Sequence, residues 1–245
     1  MAVIEAVVAA GEPIGPRALA RLTGVDRSAV GRILQQLAAL GMLTAHDGCY
    51  SPGDRLYAVA RVLSALDTLP LAADAALSSL VEEFDETSYV CTWQGDCAVF
   101  LYERQSSKPI RYVIELGRPV PLHAGAAGRA ILAGLPEETV RNLLSVDPRL
   151  ALTDATVSDV EALLELRATD RERGYSMSRE ERIKGGFAIA APFFGRRNCC
   201  QGSVVLSAPL DRLTGLDVDE VGNAVRRAAD SLSARLGSAG ADHPG

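Results

Sequence analysis

The sequence predicts an α+β fold in two parts: a small helical part closed by a β-hairpin, then a larger part on a mainly antiparallel sheet. Three observations predict it. Two short helical patterns meet at Gly24-Val25-Asp26 within Ile14 to Gly41. Met42 to Pro52 (MLTAHDGCYSP) reads as strand, Asp47-Gly48 turn, strand. Beyond residue 84, β-rich hairpins come first, helices follow, and strands return.

Met1 to Ala10 is predicted as a first helix and Gly11 to Gly15 as a turn. Pro16 stands where a first-turn proline is tolerated, and Gly24 where a glycine after a helix is favoured. Asp26 can cap the next helix, Asp26 to Leu40, by accepting from its free amides. In that helix Val30, Ile33, Leu34 and Leu37 share one face, while Ser28, Arg32 and Gln35 lie opposite with Arg27 beside them. Two helices joined by about four residues, the second presenting Arg, Ser and Gln outward, form a helix-turn-helix. An ordinary helical hairpin with a solvated face would give the same window, but a hairpin directly behind the second helix is the wing of a winged helix. Binding to double-stranded DNA is the favoured reading.

The net charge of −6 runs against a DNA binder until its distribution is considered. Residues 1–66 hold six arginines against five acids, a net of +1, which leaves −7 for the remainder. So mild a basic part needs a dimer and a specific site, since bulk attraction to phosphate will not hold it. The cysteines, Cys49, Cys91, Cys97, Cys199 and Cys200, are odd in number and form no Cys-x-x-Cys, so neither a disulfide frame nor a structural zinc site is expected. Cys199-Cys200 is placed at a loop-strand junction, with a redox sensor as the sharper alternative. No run approaches a membrane span, and MAVIEAVVAAGEP lacks a basic leader and cleavage site. A cytoplasmic protein is expected.

From Pro52-Gly53 the pattern changes. Leu56, Val59, Ala60, Leu63 and Leu66 make an apolar stripe on a helix over Asp54 to Asp67, either a dimer seam or a helix folded back on its own part. Further helices are predicted over Leu71 to Phe84, Leu122 to Leu135, Pro136 to Leu144, Val157 to Arg173 (stopped by Gly174) and Asp217 to Leu236. Strands are predicted over Thr87 to Trp93 and Ala98 to Arg104, turning at Gln94-Gly95-Asp96, then Ile110 to Leu116, Tyr175 to Ser178, Phe187 to Phe193 and Ser203 to Ala208. The expected division is 1–52 as the winged helix-turn-helix, 53–69 as a linker helix, 70–237 as the larger domain, and 238–245 as a disordered tail.

The second informative stretch is Gly117 to Arg129 (GRPVPLHAGAAGR). Small residues at a helix start leave amides open to an anion such as a carboxylate, which the helix dipole favours. Close helix-on-sheet packing also selects Ala and Gly, so the stretch alone does not decide.

Taken together, the winged helix, the linker helix, PVPLHAGAAGRAILAGLP (119–136), RERGYSMSREE (171–181), GGFAIAAPFF (185–194) and GSVVLSAP (202–209) resemble an IclR-type bacterial transcriptional regulator, over nearly the whole chain from Met1 to Gly237. The resemblance implies a GAF/PAS-like effector domain after the winged helix, assembly as a homodimer or homotetramer, and no cofactor. By position it implies Arg27, Ser28 and Ala29 at the start of the recognition helix, and Arg32 within it. Gln35 joins them from the helix face itself. It further implies effector contacts at Ala126, Ala127, Ser178, Gly186, Ala188, Val205 and Ser207. Members that recognise small keto acids carry an acid, a thiol and a hydroxyl where Ser178, Ala188 and Val205 stand, so this pocket is less polar than theirs. The family's usual extension before the first helix is missing here, and a minor-groove contact from an N-terminal arm is not carried over.

The expected function is therefore a ligand-responsive, DNA-binding regulator of a bacterial metabolic, catabolic operon, answering to a small organic acid with an apolar or aromatic body. The rest of that molecule is expected against Ala188, Val205 and Phe187 or Phe193. Two alternatives stand beside this reading. One is a metabolite-sensing scaffold without DNA binding. The other is an enzyme using His123 as base and Cys91 or Cys97 as nucleophile, for which no third triad member is suggested.

Overall fold

The computed structural model describes residues 2–66, 69–146, 149–215 and 217–237, with the side chains of 61–66, 146 and 213–215 left aside. The expected tail, 238–245, lies outside the described residues. The chain divides into two compact units, Met1–Asp67 and Thr68–Gly245.

The first unit runs α1 (Ala2–Ala9), α2 (Pro16–Thr23), α3 (Arg27–Ala39), β1 (Leu43–His46), β2 (Cys49–Pro52) and α4 (Asp54–Leu66). Pro16 opens α2, and Gly24 closes it at a φ of 66°. Asp26 caps α3: one carboxylate oxygen accepts from the amides of Ser28 at 2.9 Å and Ala29 at 3.2 Å. Val3, Val7, Leu19, Val30, Leu34 and Leu43 close a small core, as the helical spacing requires. β1 and β2 pair in register from Leu43↔Pro52 to His46↔Cys49. Their two-residue turn, Asp47 and Gly48, has both φ values positive, the twist that matches paired strands. Ile14 bridges to Tyr50 and ties the start of the helix pair to the hairpin. This is a helix-turn-helix with its wing.

The second unit runs α5 (Leu69–Phe84), β3 (Thr87–Gln94), β4 (Cys97–Arg104), β5 (Pro119–Pro121), α6 (Ala126–Gly134), α7 (Glu137–Val146), α8 (Val160–Arg173), β6 (Ser176–Arg179), β7 (Gly186–Phe194), β8 (Cys200–Pro209) and α9 (Val218–Arg235). The strands form one antiparallel sheet in the order β5-β4-β3-β8-β7-β6. Strand alternation sorts the side chains between two cores. Phe187, Ile189, Ala191, Val204, Leu206 and Ala208 pack with α5 and α9, whereas Tyr89, Phe100, Ala190 and Val205 pack with α6.

Four expectations need correction. Ile110 to Leu116 is not a strand; the short β5 follows it instead. Its alternation reports sidedness without a ladder: Ile110, Val113 and Leu116 are exposed, while Tyr112 and Ile114 turn inward. Side chains serve its carbonyls, with Tyr89 Oη donating to Tyr112 O at 2.9 Å and Arg212 Nη2 to Ile110 O at 2.5 Å. The helix expected from Leu122 starts only at Ala126, because Leu122 to Gly125 is bent and Gly125 holds a φ of 87°. The helix expected from Val157 starts at Val160, where Asp159 caps it by accepting from the Ala162 amide. Phe193 is buried on the α5/α9 side of the sheet, since it shares strand parity with Ile189 and not with Ala188.

Candidate functional site

Two places in the molecule gather the residues singled out by the sequence. The first is the outer face of α3. Arg27, Ser28, Arg32 and Gln35 are exposed there, and Ala29 is half-buried beside them. Ser28 is partly committed: its hydroxyl donates to Asp26 at 2.5 Å. That bond and the two capping amides hold the Asp26 carboxyl below its usual range. The arginines at 27 and 32 and the amide of Gln35 are the groups this face can offer to base edges and phosphates.

The second is a cleft in the larger unit, holding about 540 Å³ of space unoccupied by protein atoms, part of it open to solvent. All seven expected effector positions line it: Ala126, Ala127, Ser178, Gly186, Ala188, Val205 and Ser207. Register explains how residues so far apart in sequence meet. Ser178 pairs with Ala188 across β6 and β7, and Ala188 pairs with Ser207 across β7 and β8, so the three stand side by side. Val205 lies two residues back on β8, on the same face. The start of α6 supplies the facing wall. Phe187 also lines the cleft although its ring belongs to the other core, and Phe193 does not.

Sequence reasoning missed the charged half of the site. Glu181 and Arg182 line the cleft from the β6–β7 connection, with Tyr112 and Ile114 across from them. Glu181 Oε2 accepts from the Gly125 amide at 3.1 Å, and Oε1 lies 3.4 Å from Arg129 Nη1. Burial pushes the Glu181 carboxyl up, against the pull of Arg129 and of the Gly125 amide. Arg129 is itself buried, donates to Met177 O and approaches Asp170 at 3.8 Å. Asp170 is held in turn by Arg173 and Ser176. An ion-pair network therefore lies beneath the α6 start. Arg182 is different: its guanidinium carbon sits 5.1 Å from the centre of the Phe100 ring, and burial pushes its pKa down. The signal for these residues was Glu180-Glu181-Arg182, directly after a strand already assigned to the pocket. A charged run at a strand end reads as a solvated turn, and only the tertiary fold turns it inward.

The residues of the enzymatic alternative carry no such arrangement. Burial pushes Cys91 up to about 12 and Cys97 upward as well, the wrong direction for a nucleophile. His123 is buried, with Nε2 3.1 Å from Leu150 O. Cys199 and Cys200 stand at the loop-strand junction expected, and Cys200 is pushed up to about 12, away from what a redox sensor needs. Among the described residues, no three His, Cys, Asp or Glu side chains gather to hold a metal ion, and no helix is long and apolar enough to cross a membrane.

Comparison with known proteins matches both units. Residues 1–47 match the IclR helix-turn-helix domain, and residues 60–234 match the bacterial transcriptional regulator IclR C-terminal family. The transcriptional regulator KdgR of Escherichia coli is 28% identical over 228 residues, covering 91% of this chain and 86% of that protein. The crystal structure of an IclR-type protein from Silicibacter sp. TM1040 superposes with a TM-score of 0.85 at 25% identity, covering 98% of this chain and 95% of that one. An IclR homologue from Microbacterium hydrocarbonoxydans, complexed with 4-hydroxybenzoate, shares the fold at a TM-score of 0.71 and 22% identity, covering 96% and 95%. The matched family is one of regulators, not of enzymes. Its two models together span most of the sequence, so the chain belongs to the IclR family and is a DNA-binding bacterial transcriptional regulator.

Proposed function

We propose that this regulator senses a small organic acid with an apolar, aromatic body in the cleft of its larger unit, and controls a catabolic operon accordingly. In this reading residues 1–52 bind the operator, 53–69 link, and 70–237 sense. Arg27, Ser28, Ala29, Arg32 and Gln35 face the operator. The protein acts in the cytoplasm as a homodimer or homotetramer, because a mildly basic single module gains tight, specific binding only when two half-sites are held together.

One observation carries the sensing reading: the seven expected effector positions line a single cleft. The effector carboxylate meets the amides of Ala126 and Ala127, to which no hydrogen bond is made among the described residues. The Gly125 amide is not free for it, being matched by Glu181. Ser178 and Ser207 orient the ligand, and Ala188 and Val205 cover its apolar body, worth about 25 cal/mol per Å² of area removed from water.

A thermal-shift screen of monocarboxylates, with 4-hydroxybenzoate among them, identifies the best stabiliser, and calorimetry measures its binding. Replacing Ala126 with Leu fills the cleft and should abolish that binding in a protein that still folds. An uncharged best stabiliser, or unchanged binding to the Ala126→Leu protein, overturns the reading.

A further inference from the structure

The cation that lines the cleft differs from several cations beneath and beside it, which are paired with carboxylates. Arg129 lies between Glu181 and Asp170, Arg173 pairs with Asp170 at 2.5 Å, and Lys184 pairs with Asp154 at 3.0 Å. Arg182 has no carboxylate within ion-pair distance among the described residues, although it is half-buried and lines the cleft. Its neighbour Glu181 is turned away, to the Gly125 amide and Arg129. The guanidinium carbon lies 5.1 Å from the centre of the Phe100 ring, and its N–H donors meet no acceptor among the described residues. A partly desolvated cation is costly unless an anion meets it, and a carboxylate fits the guanidinium fork in bidentate fashion.

We infer that Arg182 is the counter-ion of the effector's carboxylate, and the residue by which this cleft selects an acid over its neutral analogue. The inference rests on the organic-acid reading above and goes further on one point. The amides of Ala126 and Ala127 and the hydroxyls of Ser178 and Ser207 donate to the carbonyl oxygen of an ester or amide as well as to a carboxylate. Partial charges of this kind tell a carboxylate from a neutral carbonyl oxygen only weakly. A full positive charge separates the two more sharply, and Arg182 is the cleft-lining cation that no carboxylate meets among the described residues.

The test uses the full chain and matched probes: 4-hydroxybenzoate, benzoate and the best acid of the monocarboxylate screen, each beside its primary amide, titrated by calorimetry. The parent should prefer acid to amide by roughly 10- to 100-fold, the range for a hydrogen bond to a charged group. Arg182→Gln should bring that ratio close to one, and Arg182→Lys should restore part of it. Raising the salt concentration should weaken acid binding in the parent more than in Arg182→Gln. If Arg182→Gln keeps the parent's ratio, Arg182 is only a packing residue with its stem on Phe100, and the inference falls while the organic-acid reading stands. If Arg182→Gln does not fold, an Arg182→Lys protein with the full acid preference supports a charge requirement, and one with none of the parent's salt dependence overturns it. If no acid of the panel binds the parent, or its amides bind as well, the organic-acid reading falls and takes this inference with it.

Discussion

The amide of Gly125 donates to the carboxylate of Glu181 at 3.1 Å, so the protein supplies its own anion to the start of α6. That carboxylate is raised above its ordinary value chiefly by burial, with Arg129 and the Gly125 amide opposing. The consequence for stability has a definite sign. A group whose folded pKa exceeds its unfolded one favours the fold below the ordinary carboxylate range and loses that contribution as pH rises through its folded value. The thermal midpoint of the parent, minus that of Glu181→Gln, should therefore fall as pH is raised from acid to neutral. A difference that grows toward neutral pH would show that Arg129 outweighs burial at this site.

The small-residue run at the start of α6 allows close packing, and a glycine substitution tests it. A Cβ on Gly128 would lie 2.3 Å from Leu122 O and 2.7 Å from Leu122 C, both backbone, so neither can yield cheaply. Gly128→Ala should destabilise the larger unit by roughly 1–3 kcal/mol, as overpacking does. Gly31 in α3 has nothing within 4 Å of that position. Gly31→Ala should stabilise the smaller unit by about 0.5–1 kcal/mol through helix propensity alone. Denaturant unfolding, followed on the transition of each unit, reads both signs. Gly128→Ala at no cost would mean that the run exists for the ligand alone.

Much of the fold was legible because periodicity and capping are local. Asp26, Gly24, Asp47-Gly48 and Gly174 punctuate the chain where their backbone conformations require. Two of the misreadings share a cause: in Ile110 to Leu116 and Leu122 to Gly125, some apolar residues turn inward without a ladder or a helix to turn them. The site was half legible. Ala126, Ser178, Ala188 and Ser207 came from the family resemblance, and strand register brings the last three together. Glu181, Arg182, Phe100 and Tyr112 were not found, because whether a charge at a strand end faces water or a cleft depends on what crosses over it.

Assembly tests the apolar stripe of α4. Leu56 is half-buried and lines a groove with Val7 and Pro52, which accounts for it within its own unit. Tyr57 lines the same groove though 52% exposed, whereas Val59 is 44% exposed and does not line it. The side chains of Leu63 and Leu66, the rest of the expected seam, lie outside the described residues. Sedimentation velocity at micromolar concentration should find at least a dimer, and Val59→Glu should move it toward monomer. A stable monomer in the parent, fully competent on single half-sites, would end the idea.

Arg32 is expected to decide how α3 reads DNA. It is exposed on the face opposite Val30 and Leu34, which lie one turn apart and anchor the helix in the core. An arginine in this position has two uses. It can take the O6 and N7 edge of a guanine with both arms of its fork, or it can neutralise a phosphate. The two uses separate in one experiment. Duplexes selected from a random pool with the parent protein are bound by parent and Arg32→Ala at two salt concentrations, alongside duplexes changed at single positions. For a base contact, the variant loses roughly 1–3 kcal/mol on the selected duplex and becomes indifferent to one base pair. For a phosphate contact, it weakens about equally on every sequence, and the slope of log K against log salt shrinks by about one. Because the smaller unit is only mildly basic, at net +1 over residues 1–66, the base-reading outcome is expected. Binding by Arg32→Ala equal to the parent on all duplexes would place the reading face elsewhere on the winged helix.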